Sequence, residues 1–360
     1  MKFSISSESA QSGLSPTDDI FHDWWKVLMA EYFNVSKIDT NQNTFYGFAD
    51  FFYINELFIK RSKSTPQNMK RDLRLISQLP SDIVNISLIL NGGFTGESLT
   101  RKVTINEGDI IFIDKSEISS ARTGYFEEVG IDIPKQAVLS NSVITKDFHL
   151  MKLSPADSFY DLMKYHILKL YNYTPENAAS DSILIRSTTE LIRSILTSSD
   201  NTDTSEHIST DYIWYKIYSY IDRHYKNPDL SAKSIATGVN LSRTQLYRIT
   251  EPMGGINHLI NKIRIKRSLY FMDKANHEKN FSLPLHEAAG YKSERTFRRA
   301  FLSSMNMTPK EAYHRLREES AEHKSLISKR TDDALVRQQY YRQWLINNLV
   351  DNTNAAVSNE

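Results

Sequence analysis

The stretch "AAGYKSERTFRRAFLSSMNMTPKEAY" (residues 288–313) decides how this chain is read. Ala288 and Ala289 are small enough to let two helices approach closely. Gly290 suits the turn between them, because glycine takes a positive φ without steric cost. Ser293 stands where it can cap the next helix. Phe297 and Phe301 are four apart, so they share one buried helix face. At roughly 100° per residue, Arg295 and Arg299 fall on the opposite face, with Arg298 beside them. Cations so closely spaced repel one another, and an external anionic field relieves that repulsion. The major groove of DNA admits a helix, and arginine forks match guanine edges and phosphates.

A similar unit lies about fifty residues earlier, "DLSAKSIATGVNLSRTQLYRIT" (229–250). A short helix ends near Ile235 and Ala236, and Gly238 suits a tight turn with positive φ. Val239 and Leu241 anchor that turn, and Ser242 with Gln245 forms a capping-box pattern. Leu246 and Ile249 face inward. Thr244, Tyr247 and Arg248 then face outward, with Arg243 on the flank. Each unit is a helix-turn-helix pattern. Helix–glycine–helix patterns are common, so one alone carries little; two on one segment carry much more. Between them, "INHLINKIRIKRSLYFMDKA" (256–275) reads as one long helix that holds the units at a fixed separation. Leu259, Ile263 and Leu269 continue its apolar face. Lys262, Arg264, Lys266 and Arg267 load its other sides and are expected to reach phosphates at most.

Charge supports this division. The net charge of +1 over 360 residues hides a split. Residues 1–211 carry 20 Lys and Arg against 28 Asp and Glu, whereas residues 212–330 carry 22 against 11. A basic third joined to an acidic remainder suggests that the basic part meets a polyanion. The chain is long enough for two domains, and 40% hydrophobic residues suffice to build their cores. No apolar run is long enough to span a membrane, and the first residues lack the apolar core of a signal peptide. The absence of cysteine excludes disulfides and thiolate metal sites and fits a reducing cytoplasm.

The acidic part has a different texture. "FHDWWKVLMAEYF" (21–33) is an amphipathic helix, with Phe21, Trp24, Trp25, Leu28 and Tyr32 at helical spacing. Residues 44–133 hold short β-rich runs: "FADFFYINELFI", "IVNISLIL", "RKVTI", "DIIFID" and "VGIDI". Turn signals separate them at Asn91-Gly92-Gly93, at residues 106–109 and at Thr123-Gly124. This pattern suggests a sandwich or barrel. Two helical stripes follow. One is Phe159, Leu162, Met163, Ile167 and Leu170; the other is Ile183, Leu184, Leu191, Ile192, Ile195 and Leu196. Residues 197–210 are polar and read as a linker. The tail beyond 317 contains Val336, Tyr340 and Trp344 four apart, a stripe suited to one more helix that docks on the body or stays apart from it.

These residues resemble the AraC/XylS family of bacterial transcription regulators. The resemblance rests on Gly290-Tyr291, Phe297, Arg299, Phe301, Thr308-Pro309 and Tyr313, and on "EPMGGINHLINKIRIKRS" (251–268), and it covers about residues 212–317. It departs from the family pattern at Asn306, where glycine is usual, at Leu302-Ser303, which replaces a more basic pair, and at His314, where arginine is common. Asparagine tolerates the left-handed conformation, so that turn survives. More weakly, "FHDWWKVLMAEYF", "ILNGGFTGES", "VTINEGDIIFID" and "GIDIPKQAVL" are similar to the regulatory domain of one branch of the family.

The resemblance implies an α+β chain. Its parts are an N-terminal cupin-like β-barrel with flanking helices (15–196), a linker (197–210), an all-α domain with two helix-turn-helix units joined by a long helix (211–317), and a tail (318–360). It implies a small-molecule effector sensed by the barrel, a homodimer, and double-stranded DNA entered at two adjacent major grooves, whose repeat is about 34 Å. RNA polymerase is a further candidate partner. Carried over, the recognition helices span residues 242–250 and 293–304. The contact candidates are Arg243, Thr244, Tyr247 and Arg248 in the first, Glu294, Arg295, Arg298 and Arg299 in the second, and Lys262 between them. Glu294 either accepts from a cytosine amino group or stabilises its helix N-terminus. Leu184, Leu191 and Ile195 are candidates for the dimer interface, or else pack on the barrel.

Enzymatic readings find little support. The runs from 44 to 133 contain no histidine, His22 and His149 flank them singly, and no nucleophile-elbow, P-loop or zinc-protease motif occurs. Glu127 and Glu128 are adjacent and so face opposite sides of a strand. No cofactor or metal is expected. Phe45, Tyr46, Phe48, Phe51, Phe52 and Tyr53 fill a core or line an apolar pocket. The competing reading is an architectural protein that coats DNA without sequence preference, which leaves the acidic domain without a role.

Overall fold

The computed structural model describes residues 3–6, 18–38, 45–78, 83–139, 148–173, 178–197, 213, 216–218, 220–251, 254–277, 284–328 and 344. The chain is α+β. Its N-terminal part is one antiparallel ten-stranded sheet, and its C-terminal part is helical.

The sheet is organised by two long neighbouring strands, β6 (Ile83–Ser98) and β9 (Ser119–Pro134). The expected turns at Asn91-Gly92-Gly93 and Thr123-Gly124 lie inside these strands. In β6 the glycines mark bulges, because the register shifts between Ile89 and Asn91 and again between Gly92 and Phe94. A bulge inserts a residue and bends the strand, so glycine there signals curvature and not chain reversal. The turn expected at 106–109 does join β7 (Lys102–Asn106) to β8 (Ile110–Asp114). "FADFFYINELFI" is a hairpin, β3 (Gly47–Ile54) and β4 (Leu57–Ser64), turning at Asn55-Glu56, with Asn55 at φ 47°. β5 (Gln67–Arg71) pairs with β9 and with β2 (Asn34–Lys37). β1 (Phe3–Ser6) and β10 (Met151–Leu153) pair with β3 and β8.

Alternation across the sheet directs side chains to opposite faces, where three hydrophobic clusters form, and two of them hold its helices. One holds Phe52, Ile86, Phe112 and Ile131 and is covered by α4 (Tyr160–Tyr171) and α5 (Ala178–Thr197) through Met163, Ile167, Ile192 and Ile195. Leu162 and Ile183, expected on the buried stripes, are exposed. Leu184 and Leu191 pack against this core together with Ile195, so the candidate dimer stripe is spent inside the domain. The other core joins Phe45, Phe51 and Phe58 to Trp25 and Leu28 of α1 (Asp18–Met29). The aromatic run is therefore largely core: Phe51 and Phe52 lie on opposite faces of one strand. Tyr53 is half-exposed.

Charged residues inside this domain are paired. Lys115 and Asp132 form a fully buried ion pair, and Asn85 donates to Asp132 at 2.7 Å. Glu127 and Glu128 meet Arg61 and Lys60 across the β4–β9 ladder. His22 and His149 are both core residues, and His22 stands edge-on to Phe45 at 4.8 Å. Among the described residues no three His, Asp or Glu gather as a metal-ligand set, and no helix is long and apolar enough to cross a membrane.

The helical part comprises α6 (Ala232–Gly238), α7 (Arg243–Thr250), α8 (Ile256–His277), α9 (Leu285–Ala288), α10 (Glu294–Met305) and α11 (Pro309–Ser328). α8 is its spine. Ile256, Leu259, Ile260 and Ile263 serve one hydrophobic cluster with α6 and α7, while Ile265, Leu269 and Met272 serve a second with α10 and α11. The second cluster also takes in Leu73 and Ile76 of α2 (Leu73–Gln78), a helix from the sheet domain. Glu319 of α11 accepts the Arg74 amide at 3.1 Å and faces Lys70 at 3.6 Å. α11 thus runs past the expected domain end at 317. Val336 and Tyr340 lie outside the described residues; Trp344 is described, and it is buried in the Phe58 cluster of the sheet domain.

Candidate nucleic-acid interface

Each recognition-helix candidate is started by a serine, as its sequence requires. Ser242 accepts the Gln245 amide at 3.1 Å, and the Gln245 side chain accepts the Ser242 amide at 3.0 Å. Ser293 accepts the Thr296 amide at 3.3 Å. Such caps satisfy donors that the first turn leaves open.

The two turns are built differently. Gly290 has φ 80°, and a Cβ there would lie 1.9 Å from the Tyr225 carbonyl oxygen, so both conformation and space demand glycine. Gly238, expected to take positive φ, does not; Asn240 does, at 59°. At Gly238 the far edge of the Tyr220 ring lies over the backbone, 2.1 Å from where a Cβ would stand, so a larger residue there would displace that ring. Asn306 ends α10 in the left-handed conformation, as expected of an asparagine in a glycine's place.

From these starts the helices divide into two faces. Leu246 and Ile249 of α7 are buried, and so are Phe297 and Phe301 of α10, whose rings meet edge-on at 5.6 Å. Arg243, Thr244, Tyr247 and Arg248 are exposed on the first helix, and Glu294, Arg295, Arg298 and Arg299 on the second. Glu294 occupies the first turn of α10, where its charge favours the helix N-terminus. Among the described residues, no hydrogen bond or ion pair engages the guanidinium groups of these five arginines.

The cations of α8 are engaged differently. Arg264 is buried, donates to the Tyr225 and Asn227 carbonyls at 2.9 and 2.7 Å, and lies over the Tyr291 ring at 5.1 Å. Burial lowers its pKa from the ordinary arginine value, but a guanidinium remains charged near neutrality. Arg267 forms a bidentate pair with Asp222. Lys262 pairs with Glu117 of the sheet domain at 2.6 Å. Arg264 is therefore a bracket between the two units. Its role was hidden in sequence because its partners are backbone carbonyls, which every residue carries. Tyr291 completes the bracket by donating to Asn261 at 3.1 Å.

α8 has 22 residues. At about 1.5 Å per residue it is roughly 33 Å long, close to the ~34 Å repeat of the major groove. Burial of Leu259 and Ile263 on one unit and Leu269 on the other fixes both units to this one rod.

The sequence matches no family model and no curated relative. The chain is similar to several solved structures. The AraC-like transcriptional activator CuxR is 18% identical, with a TM-score of 0.50 over 74% of this chain and 94% of that chain. ToxT from Vibrio cholerae is 16% identical over 67% of this chain and 92% of that chain, with a TM-score of 0.37. The C-terminal domain of AraT, a response regulator from Geobacillus stearothermophilus, is 28% identical over 28% of this chain and 84% of that domain, with a TM-score of 0.24. The chain therefore shares its fold with CuxR.

Proposed function

We propose that this chain is a sequence-specific DNA-binding transcription regulator of the AraC/XylS type. The single observation that carries the reading is the unequal treatment of its cations. Arg264, Arg267 and Lys262 are held by groups of the protein itself, while Arg243, Arg248, Arg295, Arg298 and Arg299 are presented without any partner among the described residues. Exposed guanidinium forks on two capped helices match base edges and phosphates in two adjacent grooves. Arg243, Thr244, Tyr247 and Arg248 contact one groove; Arg295, Arg298 and Arg299 contact the next, with Glu294 supporting its helix.

The sheet domain is the sensor of a small molecule. In support, α2, Glu117 and the Arg74 amide touch α8 and α11 directly, so a change in the sheet domain reaches the DNA-binding unit without a linker in between. The regulator works as a homodimer, through a surface other than the Leu184–Leu191–Ile195 stripe.

A genome-wide occupancy map in the host at physiological salt tests this reading. Sharp sites sharing a motif that spans two adjacent grooves are the expected result. Diffuse coverage, following local DNA abundance alone, contradicts it and favours an architectural protein.

A further inference from the structure

Leu302 lies on the open side of α10, among its cations. Arg295, Arg298, Arg299 and Leu302 stand at i, i+3, i+4 and i+7, the spacing of one helix face. At roughly 100° per residue Leu302 points about 20° from Arg295, between the directions of Arg298 and Arg299. Its side chain is 50% exposed, whereas Phe297, Phe301 and Met305 hold the buried face of the same helix. Leu302 is not part of the hydrophobic cluster behind that face. Among the described residues of the helical part, the other large apolar side chains so exposed are Tyr247 and Tyr270, and each of those has a hydroxyl to offer water. Leu302 has none.

A leucine does nothing for a phosphate. It interrupts a stripe of positive charge and leaves apolar surface in water. The floor of the major groove supplies what would cover that surface. Its base edges present hydrogen-bond donors and acceptors and one methyl group, on C5 of thymine. Arginine forks answer guanine edges and phosphates. A branched aliphatic side chain set among them answers the methyl.

We propose that Leu302 is a specificity-determining residue: its side chain packs on a thymine methyl in the groove entered by α10 and selects thymine at one position of the site. This assignment rests on the reading of α10 as a recognition helix and names a base that the helix selects. Seven residues at about 1.5 Å each set Leu302 roughly 10 Å along the helix from Arg295, about three steps of base-pair rise. The thymine therefore lies within about three base pairs of the one that Arg295 reads.

The test uses the full-length chain and the duplex that wild type enriches from a random pool at physiological salt. Each thymine of the motif is replaced, one at a time, by deoxyuridine, which keeps the base pair and removes the methyl alone. Affinity for each duplex is measured with wild type and with Leu302→Asn, a residue of similar size without an apolar end. One replacement is expected to weaken wild type about fourfold, the loss that follows from withdrawing one buried methyl-sized group. The same replacement is expected to leave Leu302→Asn unaffected. Comparing two duplexes within one protein cancels whatever the substitution does to the helix itself. A second selection, run on Leu302→Asn, is expected to lose the thymine preference at that position and keep the rest of the motif.

If no replacement weakens wild type, or if every loss persists in Leu302→Asn, the proposal falls while the DNA-binding reading stands. A pool in which wild type enriches no motif removes the recognition helix, and the proposal with it.

Discussion

The ammonium of Lys262 lies 2.6 Å from the carboxylate of Glu117, and this contact joins the central helix of the helical part to the turn after β8 in the sheet domain. Lys262 is about half exposed, so the pair itself contributes about 0–1 kcal/mol. Its consequence is competition: the same ammonium does not serve Glu117 and a phosphate at full strength together. Each phosphate contact adds about 0.9 to the slope of log affinity against log salt. Lys262→Ala is therefore expected to leave that slope nearly unchanged in wild type and to lower it by about 1 in a Glu117→Gln background. Titrations of a fixed duplex at several salt concentrations check this. Equal effects in both backgrounds would show that Glu117 does not hold Lys262 back.

Two left-handed positions in the second unit should respond very unequally. Gly290→Ala places a Cβ against the Tyr225 carbonyl in a conformation that costs a non-glycine residue about 1–3 kcal/mol before the overlap is counted. Its loss in urea unfolding is expected to exceed that range. Asn306 already holds φ 52° at the end of α10, and Asn306→Gly is expected to change stability by less than about 1 kcal/mol. A Gly290→Ala protein as stable as wild type would remove the close approach on which the turn is built.

The sheet domain carries a pH signature. Burial pushes the Lys115 ammonium down to about 7, although Asp132 beside it opposes the shift. The folded value lies below the unfolded one of 10.5, so between them the unfolded chain binds the proton and the folded chain does not. That sign makes the Lys115 contribution to stability rise with pH from about 7 to about 10 and stay level, at its lowest, below about 7. Denaturant unfolding of wild type across this window is expected to show the rise, and Lys115→Met to flatten it. The same substitution strands Asp132 and is expected to cost about 3–5 kcal/mol, much of it recovered in Lys115→Met/Asp132→Leu. A pH slope that survives Lys115→Met would assign it to another group.

Much of the helical unit was legible in sequence because its decisive signals are local. Caps at Ser242 and Ser293, phenylalanines four apart and a left-handed Asn306 each follow from neighbours within a few residues. Glycine was less readable. Gly238 and Gly290 look alike in sequence, yet one answers to the Tyr220 ring and the other to its own φ. Gly92 and Gly93 read as a turn but sit at bulges, since chain reversal and strand curvature use the same residue. The pairing of Lys262 with Glu117, the carbonyl bracket of Arg264 and the return of Trp344 to Phe58 depend on contacts across tens to hundreds of positions. No local pattern encodes such contacts, although the four-residue spacing ending at Trp344 did mark a face in need of a partner.

Selection of bound sequences from a random duplex pool at physiological salt, run in parallel on wild type and Arg295→Ala, tests the central claim most directly. The account expects wild type to enrich a motif with two blocks one groove repeat apart. Arg295→Ala should lose preference at one base pair while keeping the rest, at a cost of about 1–3 kcal/mol on the wild-type site. A pool that stays random, with Arg295→Ala weakening all duplexes alike, would contradict it and leave the five exposed arginines as a general phosphate-binding surface.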